Sequence, residues 1–210
     1  MFGIENYTGF IIAAIILNLT PGVDTLYILT RSVSQGKSAG LVSVAGIMSG
    51  CLVHVLFAAF GLSLILSTSA IVFALVKWAG ACYLIYLGIK TILEKNIIFQ
   101  TSVSDLDTGN LKKIYGQGIL TNILNPKVGL FFISFLPQFI NPHQANGPLP
   151  FLILGGTFLI TGTIWCLVLT WTAALMSRTL RANKTAGVVL QKLSGIVFVG
   201  FGIKLAFSSR

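Results

Sequence analysis

A chain of 210 residues has room for one domain. This one is 55% hydrophobic and only 9% charged, against about 25% charged in a soluble domain, so its polar side chains cannot coat a soluble globule. The net charge of +9 comes from short basic clusters between apolar runs, with no basic stripe carrying interleaved aromatics, which excludes a nucleic-acid-binding surface.

A bilayer core about 30 Å thick takes a helix of about 20 apolar residues, and six segments qualify: 7–30, 39–66, 70–93, 115–137, 149–177 and 187–207. They are continuously apolar, so an alternating-strand barrel is excluded and helices remain the way to satisfy the backbone in lipid. Residues 1–6 carry no Lys or Arg and the first run is long, so it reads as a retained helix, not a cleaved signal.

The first segment is interrupted by Pro21-Gly22. Proline removes one backbone hydrogen bond and frees the carbonyl four residues back, that of Leu17, while glycine loosens the backbone. Asp24 follows, towards the far end of the span, and Asn18 and Thr20 precede the break as polar lining or interhelical ties. The second segment carries Gly46, Gly50 and His54 at four-residue spacing on one face. The glycines predict a close helix contact; His54 reads as a hydrogen-bonded packing residue or a proton relay. The longest connection, about 94–114, is polar and holds Asp105, Asp107, Lys112 and Lys113. The fourth segment contains Asn122, Asn125, Pro126 and Lys127. Pro126 frees the carbonyl of Asn122, and Lys127 lies about twelve residues, or about 18 Å, into its helix, too deep to snorkel easily. Cys51, Cys82 and Cys166 all sit in apolar runs without CxxC or Cys/His spacing; they predict small buried residues and neither a zinc site nor a disulfide.

Ionisable groups inside a span cost roughly 3 kcal/mol or more, so they usually face the interior and work. Asp24 and Lys127 put opposite charges beside the two helix breaks, which suits a zwitterion: an acid near its ammonium, a base near its carboxylate. The competing reading is a purely structural Asp24–Lys127 ion pair. Carbonyls freed at Pro21 and Pro126 would accept from an ammonium, and freed N–H groups would donate to a carboxylate.

Ten Lys and Arg flank the odd-numbered connections: Arg31, Lys37, Lys90, Lys95, Lys112, Lys113, Arg178, Arg181, Lys184 and Lys192. The other side has Lys77, Lys204 and Arg210. The ten-charge side is expected to be cytoplasmic, with both termini outside. The halves echo each other: Thr20-Pro21-Gly22-Val23 precedes Asn125-Pro126-Lys127-Val128 by 105 residues, and the stretch 83–90 resembles 198–204. Three helices per half force an inverted repeat, a transporter signature with the site at the repeat interface near the midplane. The expected architecture is therefore an all-α polytopic membrane protein of six transmembrane helices in two inverted three-helix repeats, about 1–93 and 115–210, joined by the loop 94–114. No phosphate loop, HExxH or potassium-filter segment is present. No enzyme, metal or cofactor is expected, and energy would come from a gradient.

Four stretches carry a family resemblance: Leu19-Thr20-Pro21-Gly22-Val23-Asp24; Gln35-Gly36-Lys37-Ser38-Ala39-Gly40-Leu41; Lys77 through Gly88; and Asn125-Pro126-Lys127-Val128-Gly129-Leu130-Phe131-Phe132 continuing to Pro137-Gln138-Phe139. In order and spacing the chain resembles the LysE/RhtB amino-acid exporters across essentially its whole length. The resemblance implies export of amino acids or close derivatives across a bacterial inner membrane by proton antiport. The family's first break usually reads Pro-Gly-Pro before the acid; here Val23 takes the second proline position. The site expected for substrate or proton comprises Asp24, Lys127, Thr20, Pro21, Gly22, Asn122, Asn125, Pro126 and His54. The alternative is a non-transporting membrane assembly partner or sensor. Glycine-lined faces would serve the intrachain bundle or a homodimer, and the exported molecule is left open.

Overall fold

The computed structural model describes residues 2–62, 110–141, 144 and 147–182, with side chains to 173, and scattered helical positions within 75–93 and 192–207. The expected spans 70–93 and 187–207 are covered only at those scattered positions, and most of the 94–114 loop lies outside the described residues. Helix α1 is Tyr7–Leu19 and α2 is Val23–Phe57, continued by a π-helical turn Ala58–Leu62. Helix α3 is Leu111–Ile123 and α4 is Pro126–Leu130, followed by π-helical Phe131–Phe135 and 3-10 Leu136–Phe139. Helix α5 is Leu149–Ala182. Among the described residues the sole strand-like pairing is an antiparallel bridge between Ile4 and Ile140.

By length and composition, Val23–Leu62 and Leu149–Ala173 are long and apolar enough to cross a membrane. Leu111–Ile123 and Pro126–Phe139 qualify together as one span bent by 45°, and Tyr7–Leu19 is a shorter apolar helix. Helix α2 is not straight. At Gly36 the backbone takes φ 84° and ψ 178°, a left-handed conformation that favours glycine. Residues eight apart on a straight helix lie about 12 Å apart. Here a Cβ on Gly40 would strike the Ser32 hydroxyl, and Ile28 and Leu29 share an apolar cluster with Val44 and Ile47. The chain therefore folds back on itself at Gly36. The sequence reading placed a connection between residues 30 and 39; the structure replaces it with this one glycine, and helix runs to both sides of it.

The first expected segment is thus α1, a break at Thr20–Gly22, and the arm of α2 before Gly36. The fourth expected segment is α3, a break at Leu124-Asn125, and the helical run 126–139. Each has a 13-residue helix ahead of its break. The α2 arm before Gly36 and α3 run antiparallel: Asp24 bonds to Asn122 and Arg31 to Gln117. The arm after Gly36 lies against α3 in the same direction. Gly46 sits on Gly118 and the Tyr115 carbonyl, and Gly50 on Asn122 and the Ile119 carbonyl. Apolar burial offers little drive between helices in lipid, so close packing and interhelical hydrogen bonds hold them. The glycines predicted from spacing make that contact, with Gly118 as their unpredicted counterpart.

At the end of the bundle carrying the N-terminus, Phe10, Phe131, Phe132, Phe135, Phe139, Phe151 and Phe158 form a buried cluster. Phe131 and Phe158 lie 4.8 Å apart by centroid, and Phe10 meets Phe139 edge-on at 5.3 Å. Beside it a strap of residues 3–5 is tied to the end of the 126–139 run: the Glu5 amide donates to the Phe139 carbonyl at 2.8 Å, the Asn141 amide to the Gly3 carbonyl at 2.7 Å, and Asn141 Nδ2 to Glu5 Oε1 at 2.7 Å. Cys51 and Cys166 are buried free thiols, as the apolar runs suggested, but Cys82 is exposed; a helix face turned outward in an apolar segment has no need of burial.

Candidate functional site at the two helix breaks

Both prolines free the carbonyl expected of them, and each carbonyl finds a partner. The Leu17 carbonyl, unpaired because Pro21 has no N–H, accepts from Lys127 Nζ at 3.0 Å, and the Thr20 carbonyl accepts from the same ammonium at 2.7 Å. The Asn122 carbonyl, freed by Pro126, meets His54 Nε2 at 3.1 Å and the Asn125 amide at 2.9 Å. A carbonyl only accepts, so His54 carries its proton on Nε2 in this arrangement. Its ring stacks on Phe132 at 6.0 Å and leaves 3.4 Å for a Cβ on Gly129.

Asp24 stands in the first turn of α2, where the helix dipole favours an anion; its Oδ2 accepts from Asn122 Nδ2 at 2.8 Å. Lys127 sits at the opposite kind of end, its ammonium against the last carbonyls of α1, where a cation is favoured. The two charges beside the breaks are therefore near neighbours but not hydrogen-bonded to one another. The purely structural Asp24–Lys127 ion pair weighed from sequence is not formed: the carbonyls uncovered by Pro21 and the amide of Asn122 take the close contacts.

Of the five buried side-chain polar atoms without a hydrogen-bond partner among the described residues, three belong to this centre: Asp24 Oδ1, Asn122 Oδ1 and Asn125 Nδ2. Their identities are fixed by their other contacts. Asn125 Oδ1 caps α4 by accepting from the Lys127 amide at 3.0 Å, so its Nδ2 is a true donor. Asn122 Nδ2 donates to Asp24, so its Oδ1 is a true acceptor. Unpaired buried polar atoms are costly; here two acceptors and one donor lie together, with the Asn125 side chain near enough to the Asp24 carboxylate to interact with it. Helix α2 also starts at Gly22 without a side-chain cap, leaving its first amides free of that partner. A Cβ on Gly22 would come within 3.4 Å of the Lys127 ammonium.

Six of the nine residues expected from sequence thus contribute side chain or carbonyl to one centre, Gly22 leaves room beside the Lys127 ammonium, and Pro21 and Pro126 create its breaks. Asn18 does not join it: its Nδ2 ties α1 to Thr161 of α5 at 3.1 Å. Thr20 contributes its carbonyl only, since its hydroxyl donates back to Ile16 at 2.8 Å. What sequence reasoning missed lies one level towards Gly36. Arg31, counted there among loop charges, is 6% exposed and bonded to Gln35 and Gln117. Its position within three residues of a helical run was the available signal.

Pro126→Ala tests the break. A regular α3–α4 helix would give the Asn122 carbonyl an amide and release His54. Export is expected to fall at least fivefold while the protein still accumulates in membranes, measured as efflux per molecule; unchanged efflux would reduce Pro126 to a packing kink.

Broken helices that turn their free ends on a polar centre inside an apolar bundle define a membrane transport protein. The chain belongs to the LysE family, whose LysE type translocator model matches residues 15–209. It is 32% identical over 211 residues to the uncharacterized membrane protein YrhP of Bacillus subtilis, covering 97% of this chain and all of that one. It is 29% identical to the leucine efflux protein of Salmonella typhimurium over 98% of this chain and 96% of the relative. The leucine efflux protein of Enterobacter sp. is also 29% identical, over 98% and 97%. No solved structure matches the chain. Amino-acid export across a membrane is the activity the family and these relatives support.

Proposed function

We propose that the protein is a secondary active exporter of neutral amino acids, leucine-like in size, that works by alternating access and proton antiport. The observation that carries this reading is the trio of unpartnered polar atoms, Asp24 Oδ1, Asn122 Oδ1 and Asn125 Nδ2, buried between the two breaks. An α-ammonium would donate to Asp24 and Asn122. The carboxylate would accept from Asn125, from the open first turn of α2 and from Lys127, whose ammonium is within reach of Gly22. Asp24, with His54 beside it on the Asn122 carbonyl, is the proton-exchanging candidate.

Charge selects the substrate class. The chain holds five Asp and Glu in all, and Asp24 is the one within the expected spans. It balances Lys127. A cationic side chain would need an acid of its own in the membrane, where an unmatched charge costs roughly 3 kcal/mol or more. The leucine efflux relatives agree with a neutral substrate.

The matching 13-residue half-helices, the prolines 105 residues apart and the antiparallel crossing of the two broken spans support two inverted three-helix repeats. With the charge bias this supports a cytoplasmic Gly36 end of the bundle and both termini outside. A reporter that fluoresces only in the cytoplasm, fused after Arg210, is expected to stay dark; a bright fusion would reverse the orientation.

The function itself is tested by counterflow in proteoliposomes. Leucine-loaded vesicles are expected to take up labelled leucine and not labelled lysine. An acid exit side should speed export and a protonophore should slow it. Absence of exchange with every neutral amino acid would overturn the proposal, and exchange indifferent to the proton gradient would remove antiport from it.

A further inference from the structure

Arg31 is 6% exposed, yet among the described residues no carboxylate accompanies it. Gln35 Oε1 accepts from Nη1 at 3.1 Å, Gln117 Oε1 accepts from Nη2 at 2.7 Å, and the Tyr27 ring lies against the guanidinium with its centroid 5.5 Å away. Tyr27 is itself fixed by donating its hydroxyl to the Ile114 carbonyl at 2.7 Å. The two amides take two of the five N–H donors of a guanidinium, and neutral partners leave its charge uncompensated. A buried cation held by neutral groups is expensive unless an anion joins it, and the planar fork matches a carboxylate better than any other small anion binder among the side chains.

Position adds direction. Arg31 is seven residues after Asp24, almost two full turns, so both lie on one stripe of the same helix about 10.5 Å apart. The same two levels recur on α3, where Asn122 faces Asp24 and Gln117 faces Arg31. That separation is too long for one amino acid to touch both at once.

We propose that Arg31, set by Gln35, Gln117 and Tyr27, is a second, carboxylate-binding station at the Gly36 end of the path, where a substrate's carboxylate is held before its ammonium reaches Asp24. The proposal rests on the exporter reading for its substrate. The two amides hold the guanidinium between α2 and α3.

The probe is labelled isovalerate, a carboxylate with leucine's side-chain shape and no ammonium, bound to the full-length protein in phosphatidylcholine nanodiscs and measured by equilibrium dialysis. Wild type is expected to bind it, Arg31→Gln to weaken it at least tenfold, and Asp24→Asn to leave it within twofold. Leucine binding should respond the other way, lost in Asp24→Asn and changed less than threefold in Arg31→Gln. Gln117→Leu, which removes one clamp amide and keeps the charge, should retain most isovalerate binding; if Arg31→Gln fails to fold, Arg31→Lys, which keeps the charge but loses the planar fork, stands in and is expected to weaken binding at least threefold. Isovalerate binding that is absent in wild type, indifferent to Arg31, or lost equally in Gln117→Leu would overturn the station and leave Arg31 as a helix latch. The leucine arm with Asp24→Asn reports separately on the central site.

Discussion

Asp24→Asn and Lys127→Gln are each expected to abolish net export, with the protein still present in the membrane. Asn keeps an oxygen for Asn122 but presents no charge to an ammonium or a proton. Gln at 127 is too short and neutral to hold the Leu17 and Thr20 carbonyls, so the end of α1 loses the donor that replaces the amide missing at Pro21. Hydrogen bonds to charged groups are worth about 1.5–3 kcal/mol, so each variant should lose roughly 30-fold or more in efflux at matched abundance. The double variant discriminates between roles. Were the two residues only a neutralising pair, removing both would restore transport. Their short contacts go to different partners, so the double variant is expected to remain inactive. Near-normal efflux from it would sink the assignment of both residues to the transport site.

Gly50→Ala is expected to damage the fold. A Cβ there would sit 2.6 Å from the Ile119 carbonyl oxygen and 2.8 Å from Asn122 Cβ, and backbone cannot rotate away as a side-chain tip can. Helix α3 must retreat, carrying Asn122 from both His54 and Asp24. Overpacking costs typically about 1–3 kcal/mol. The expected readout is reduced accumulation and a lower melting temperature in detergent, with export per surviving molecule reduced as well. Gly118→Ala, whose Cβ would lie 3.1 Å from Gly46 Cα, should behave alike. Gly116→Ala on the same helix meets nothing within 4 Å and should be neutral or better, since alanine favours a helix by roughly 1 kcal/mol over glycine. Equal damage from Gly116→Ala would mean the effect is not one of close packing.

Much of this was readable in advance where a residue's own chemistry is decisive. Proline lacks an N–H wherever it stands, so the freed carbonyls of Leu17 and Asn122 follow from Pro21 and Pro126 alone. Four-residue spacing puts Gly46, Gly50 and His54 on one face whatever they touch. Choices among partners were not readable. Lys127 has a flexible stem that reaches either an acid or a carbonyl, and a few tenths of an ångström decide between them. Arg31 looked like a loop charge because charge usually marks a boundary; only the reversal at Gly36, a conformation no spacing rule reveals, draws it inside. Gly118 had no glycine partner four residues away on its own helix, so nothing distinguished it from Gly116 until α2 was seen resting on it.

The aromatic cluster and the strap beside it have an electrical consequence. Rings with centroids 4.8–5.9 Å apart fill the described part of that end with apolar groups, and the short bonds between residues 3–5 and 139–141 tie it together. Such an apolar end is expected to let a membrane carrying many idle copies keep its voltage, because a stray ion would meet phenyl groups there. The break-in point for leakage is therefore the strap itself: loosening it by fusing a bulky domain directly to the first residues would discharge the cell before it slowed the pump.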